Sequence, residues 1–245
     1  MYNILSIDWD YFFPDVAPYD WGHTENRSPM PQQLLWTIRA GNGDMYGKNR
    51  PAIDYIKPSG AEKNFWNYIK FKEHSLLAIC ESHSDLHAIV DKVLVAKKIG
   101  VWNFDAHHDL YHKDELDCAN WPHHLITDGY IKLKDYHLIM PAWAKEANVM
   151  CNSAYRRDRV DVRYDMPEDL PEFDMIFICR SGAWTPPWCD ADWIKFIEHW
   201  KGTRQWRTKI ALQYALEPRE FDKDQAMEWA AQQEEAMKRV IGASK

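Results

Sequence analysis

Cysteine, glycine and positive charge are all in short supply in this chain of 245 residues. The five cysteines (Cys80, Cys118, Cys151, Cys179 and Cys189) are odd in number and never spaced C-x-x-C, which argues against a disulfide framework or a zinc knuckle. Acidic side chains outnumber basic ones by 37 to 30, a formal charge of −7. A general nucleic-acid binder is thereby disfavoured, because such proteins neutralise phosphates with clustered Lys and Arg. No stretch approaches the roughly 18 apolar residues that a membrane span needs. The opening MYNILSIDWD has neither the basic start nor the long apolar core of a signal peptide, so the expectation is a cytoplasmic protein without membrane association. Glycine numbers only 10.

Aromatic residues and histidine, by contrast, are abundant. There are 13 Trp, 12 Tyr and 9 Phe, and seven of the 11 histidines fall between residues 83 and 124. With 46% hydrophobic and 27% charged residues the chain has the composition of a globular protein.

Short apolar runs alternate with longer amphipathic ones. Asn3 to Ile7, Ser75 to Cys80, Ile99 to Phe104, His137 to Met140, Met175 to Cys179 and Lys209 to Ala215 are continuously apolar rather than alternating, the pattern of strands covered on both faces of a parallel sheet. Helical segments are expected at Gln32 to Arg39, Ala61 to Phe71, Asp85 to Lys97 and Asp224 to Ile241. The last places Met227, Ala230, Ala231, Met237, Val240 and Ile241 on one stripe. The expected fold is therefore α/β, a three-layer α/β/α arrangement around a mainly parallel sheet, as one domain spanning 1–245. A Pro-rich loop from Pro14 to Pro31 is long enough to border a site.

Ligands of open parallel sheets bind beyond the carboxyl ends of the strands, and three of these ends carry metal-binding residues. After the Ile99 run comes Asp105-Ala106-His107-His108-Asp109, in which an extended chain would project Asp105, His107 and Asp109 to one side. After the first run come Asp8 and Asp10, again one residue apart, although an Asp-rich turn capping the next element would look the same. After Cys80 come Glu81, Ser82, His83 and Ser84, equally readable as a helix cap. Together the three ends offer four Asp and two His, a donor set for two divalent ions. Its excess of carboxylate and lack of cysteine favour manganese over zinc.

These motifs resemble those of the ureohydrolase superfamily, which contains arginase and agmatinase and shares its fold with histone deacetylases. Asp105-Ala106-His107-His108-Asp109 matches that family's D-A-H-x-D. Ser6-Ile7-Asp8-Trp9-Asp10 with Pro14 matches S-x-D-x-D-x-x-D-P, and Glu81-Ser82-His83-Ser84 keeps the His-Ser pair of G-G-D-H-S. The resemblance covers about an eighth of the chain, and the order of the motifs is permuted, since D-x-D follows D-A-H-x-D in arginases and precedes it here. It implies two Mn2+ ions, one held by His83, Asp105, Asp109 and Asp8, the other by His107, Asp105, Asp8 and Asp10, with Asp8 and Asp105 bridging. The early D-x-D and short length are similar to the divergent peptide arginases of ribosomal-peptide biosynthesis, which convert arginine in a precursor peptide to ornithine.

Further roles follow from that resemblance. A histidine beyond D-A-H-x-D would carry a proton to the leaving amine; here that is His123, with His124 close behind, and Asp10 stands with them in the catalytic group. Asn120 would contact substrate or order the loop. Glu217, with Glu81 second, would hold the guanidinium, and either carboxylate could equally belong to a turn or a cap. Arg180, ending the Met175 run, would pair with a substrate carboxylate or with an acidic neighbour. Trp184, Trp188 and Trp193 beside Pro186-Pro187 would line a peptide groove or pack in the core. The implied partner is an arginine-containing precursor peptide or a small guanidino compound. The competing functions are a deacetylase-like amide hydrolase on the same fold and a non-catalytic metal-binding module.

Overall fold

A computed structural model describes residues 1–14, 29–40, 52–93, 98–146, 153–201, 209–211 and 217–243. Residues 15–28 of the Pro-rich loop, 94–97 of the third expected helix and 212–215 of the last expected strand lie outside the described residues.

Seven strands form one sheet: β1 (Tyr2–Asp8), β2 (Lys70–Cys80), β3 (Ile99–Phe104), β4 (Tyr136–Ile139), β5 (Asp161–Arg163), β6 (Glu172–Cys179) and β7 (Lys209–Ala211). Their order is β5-β4-β3-β1-β6-β2-β7, and every pairing is parallel. Among the described residues six α-helices accompany them: α1 (Pro29–Ala40), α2 (Glu62–Phe65), α3 (Asp85–Val93), α4 (Trp121–Thr127), α5 (Asp190–Lys201) and α6 (Lys223–Ala243).

Both faces of the sheet are buried, which is why the strands read as unbroken apolar runs. Leu5, Ile7, Phe104, Ile176 and Ile178 face a core completed by Trp36 of α1, Phe65 of α2, and Trp193 and Phe196 of α5. Ile4, Val101, Met175 and Phe177 face the opposite core, with Leu86 and Val90 of α3 and Leu125 of α4. The three-layer α/β/α architecture follows directly. Within α6 the buried position is Ala226, while Met227 and Ala230 are half-buried and Ala231 is exposed; the side chains of Met237, Val240 and Ile241 lie outside the described set.

Aromatic residues fill the first core. Trp9 packs against Phe12, Phe13, Trp193 and Phe196 with ring centroids 5.0–5.8 Å apart. Much of the tryptophan surplus is thereby structural, Trp193 included. Trp188 packs on Trp36 and Phe221 and donates its N–H to the Ile56 carbonyl.

Two expectations change. The helix anticipated from Ala61 to Phe71 is a single turn, α2, followed by a 3-10 turn at Trp66–Tyr68. Ile69 is already extended (φ −98°, ψ 129°) and β2 begins at Lys70. Phe65, Trp66 and Ile69 are buried at spacings that a helix would also give, but they enter the core as a turn leading into a strand. Second, α4, α5 and β5 form where no helix or strand is expected from the sequence.

A candidate binuclear metal centre

β1 sits between β3 and β6, with β2 one strand further on, so the chain leaves β1 for β2 on one side and then crosses back past β1 to β3 on the other. The carboxyl ends at such a point are where an open parallel sheet forms a crevice. Parallel register sets the ends level: Ile7 pairs with Phe104, and Asp8 with Cys179, which pairs in turn with Cys80. The residues that follow therefore meet.

Each of the three segments reaches the crevice by its own turn. Asp8 caps a 3-10 helix at Trp9–Phe12, accepting the Asp10 N–H at 3.1 Å, and Asp10 lies within that helix. The capping reading of this pair holds, and the cap leaves Asp8 Oδ2 and the Asp10 carboxylate directed at the histidines of the cluster. His83 lies in the turn before α3, where the Leu86 N–H donates to its carbonyl. Asp105, His107 and Asp109 converge, as expected, but not by strand alternation. The chain bends after Asp105, whose carboxylate accepts the His107 N–H at 2.7 Å, and Asp109 takes a left-handed backbone with φ 51°. His108 turns away, its Nδ1 accepting the Leu110 N–H.

The six side chains divide into two groups. His83 Nδ1 lies 3.2 Å from Asp8 Oδ2, 3.3 Å from Asp105 Oδ2 and 3.4 Å from Asp109 Oδ2. His107 Nδ1 lies 2.8 Å from Asp10 Oδ2 and 3.9 Å from Asp105 Oδ1. Asp8, His83 and Asp105 form one cluster of donor atoms within 4.8 Å of one another, and Asp10, Asp105 and His107 form the second. Donors about 2.1 Å from one octahedral ion stand about 3 Å apart along its edges, so the 2.8–3.4 Å separations are compatible with a shared ion as well as with direct ion pairs.

The burial of this set calls for cations. Asp8, Asp10, Asp105, Asp109 and His83 are buried, and His107 is 28% exposed at its side chain. Four carboxylates against two imidazoles leave a deficit of positive charge even when both rings are protonated, and each unpaired buried charge costs several kcal/mol. Asp10 Oδ2 has no aligned hydrogen-bond donor despite its contact with His107. The protonation pattern shows the same strain. Burial, then Asp8, pushes the Asp10 carboxyl up to about 7, against the pull of His107. Burial and the Asp105 charge hold Asp109 well above the usual carboxylate range. Burial would lower both histidines, but Asp10, Asp105 and Asp109 hold His107 at about 10, and Asp105 and Asp8 raise His83 well above its ordinary value. Asp105 is lowered, its burial outweighed by His83 and His107. The donor set fits two divalent ions.

A second ring of contacts, invisible from the motifs, orients the ligands. Ser6 Oγ lies 2.6 Å from His83 Nε2 and leaves Nδ1 to face the carboxylates. Asn103 donates to Asp105 Oδ2 at 3.1 Å and to the Tyr136 hydroxyl at 3.2 Å. The Trp121 indole N–H donates to Asp109 Oδ2 at 2.8 Å. Such outer partners fix ring orientation and carboxylate rotamer. Ser6 stands within the S-x-D-x-D match and Asn103 just before D-A-H-x-D; nothing in the sequence marks Trp121.

Of the remaining expected residues, Trp184 touches this cluster, and the others make contacts of their own. His123 and His124 stand in the first turns of α4. His123 Nδ1 is 3.1 Å from the Tyr155 hydroxyl and its ring is 5.3 Å from that of His112, while His124 faces the ring of His87 at 6.2 Å. Burial, His112 and His124 lower the His123 pKa. Asn120 orders its loop, accepting the Asp117 N–H at 2.8 Å and donating to the Glu115 carbonyl at 2.7 Å. Glu81 is buried and ion-paired with Arg180. Arg180 also lies 3.3 Å from Asp190 Oδ2 and donates to the Glu217 carbonyl at 2.6 Å, so it pairs with acidic neighbours, and Arg219 completes the network against Asp190. The Glu217 side chain is exposed. Trp184 packs against His107, ring centroids 4.9 Å apart, at the half-open side of the cluster.

Compared with family models, curated proteins and solved structures, the chain matches none. Among the described residues no helix is long and apolar enough to cross a membrane.

Proposed function

We propose that the protein is a binuclear manganese hydrolase that cleaves the guanidino group of arginine, preferably arginine within a peptide, to ornithine and urea. The supporting observation is the division of six donors, five buried and one half-buried, into two groups that share Asp105. Two such ions would supply Lewis acidity and would lower the pKa of bound water.

The residues of the chain take the other roles. Asp105 and, by the resemblance, Asp8 would serve both ion positions, Asp109 and His83 would complete one, and Asp10 and His107 the other. His107 and Trp184 border the half-open side, where substrate enters. The leaving amine requires a proton, and His123, backed by Tyr155 and with His124 beside it, is assigned to deliver it. Glu81 is neutralised by Arg180, so Glu217 is the carboxylate assigned to the guanidinium. Asn120 acts through the loop it orders. The preference for a peptide rests on the resemblance to peptide arginases.

A one-zinc amide hydrolase would leave Asp10, Asp109 and His83 without a task. A binding module would bind metal and turn over nothing. The manganese-loaded protein should be incubated with arginine, agmatine and an arginine-containing peptide. Urea from the peptide is expected; urea from none of the three, with two ions verified as bound, refutes the proposal.

A further inference from the structure

Trp121 occupies the first position of α4 and is fully buried. Its indole makes two contacts with the metal centre. The N–H donates to Asp109 Oδ2 at 2.8 Å, and the ring stacks on His83 at a centroid distance of 4.6 Å and an interplanar angle of 24°. Phe177 also stacks on the His83 ring, at 5.6 Å and 11°. The edge of Trp121 meets Tyr136 at 6.1 Å, and Tyr136 is tied through Asn103 to Asp105. Among the described contacts, none joins Trp121 to Asp10 or His107.

An indole N–H can donate but cannot ligate. At Asp109 it engages one carboxylate oxygen and so fixes the rotamer of that side chain. At His83 its face limits rotation of the imidazole. Both ligands belong to one ion position. We infer that Trp121 is a positioning residue that sets the affinity of the ion held by Asp8, His83, Asp105 and Asp109, and acts on the ion held by Asp10 and His107 only through the shared Asp105 and so far more weakly. The inference rests on the two-ion reading above and adds that the two positions are tuned unequally.

The test is Mn2+ titration of the metal-free full chain, wild type beside Trp121→Phe, with free ion and the bound-ion spectrum followed by electron paramagnetic resonance. Phenylalanine keeps an aromatic face toward His83 and removes the donor. One dissociation constant should rise about ten- to hundred-fold, the usual effect of losing an outer-shell partner, and the other should change by less than about threefold. At manganese concentrations that give wild type the spectrum of a coupled pair, the variant should show a single uncoupled ion. Constants that are both unchanged, or that rise together, overturn the inference while the two-ion reading stands. Wild-type protein that binds no manganese overturns both. Should Trp121→Phe fail to fold, benzothienylalanine at position 121 keeps the bicyclic shape and replaces N–H by sulfur; the same split between the two constants is expected of it.

Discussion

Asp105 is the residue on which both ion positions converge, and replacing it by Asn gives the sharpest prediction. Its Oδ2 faces His83 and its Oδ1 faces His107, at 3.3 and 3.9 Å. Asparagine keeps the size of the side chain but loses its charge. It also turns an amide N–H2 toward either the Asn103 amide or the His107 N–H, both of which donate to Asp105 now. An ion present at a hundred times its dissociation constant stabilises the folded state by about 2.7 kcal/mol, so two ions contribute about 5.4 kcal/mol. For a chain of this length that is a rise in Tm of roughly 11 to 22 °C. The assay is a thermal melt of EDTA-stripped protein with and without Mn2+. Wild type should show the full rise and Asp105→Asn essentially none. His107→Asn, which touches one group alone, should keep about half of it. A rise in Asp105→Asn equal to half that of wild type or more would refute the shared-ligand assignment.

Three further outcomes are expected. Glu81→Leu leaves the buried Arg180 without its first partner and should cost about 3 to 5 kcal/mol, a fall of roughly 6 to 20 °C in the melt of the stripped protein; the double variant Glu81→Leu/Arg180→Met should recover most of it, and an unchanged Tm in the single variant contradicts a buried pair. Metal-free protein should lose stability as pH rises from about 5 to 8: Asp10 (about 7 when folded) and His107 (about 10) both hold protons in the folded state that the unfolded chain has released, so each contributes a negative slope of at most about 1.4 kcal/mol per pH unit. Chemical denaturation of the stripped protein at several pH values checks this, and stability rising across that window refutes it. Manganese affinity should move the opposite way, tightening with pH because binding displaces those protons, as calorimetry in buffers of different ionisation enthalpy would register.

The sequence disclosed the strands because continuous burial on two faces leaves continuous apolar runs: Ile99 to Phe104 coincides with β3, and Met175 to Cys179 lies wholly within β6. The six Asp and His side chains that the structure brings together were legible because each lies at or just beyond the end of such a run. It did not disclose β5, three half-buried residues with charged ends at the edge of the sheet. Nor did it disclose α5, although Trp193, Phe196 and Ile197 stand at the spacing of one helical face; their aromatic character beside two prolines reads as a groove. In α4, Pro122 in the first turn and Trp121 four residues before Leu125 were the available signals. The Glu81–Arg180–Asp190–Arg219 network was illegible because ion pairing between distant residues has no periodicity.

The ligands also bear on how the chain is held together. Asp8 and His83 are 75 residues apart in sequence, and Ala106, beside two of the ligands, is 96 from Asp10, yet all meet in one crevice. An ion bound there cross-links the ends of β1, β2 and β3 and closes loops as long as any disulfide in a small secreted protein would. A slip of one residue between β1 and β3 would carry Asp8 about 3.3 Å away and turn it to the other face of the sheet. On the proposed reading, loading the centre would proofread strand register: only the correctly aligned sheet presents a complete set of donors, and the metal would serve as a reversible staple where the cysteines among the described residues are free.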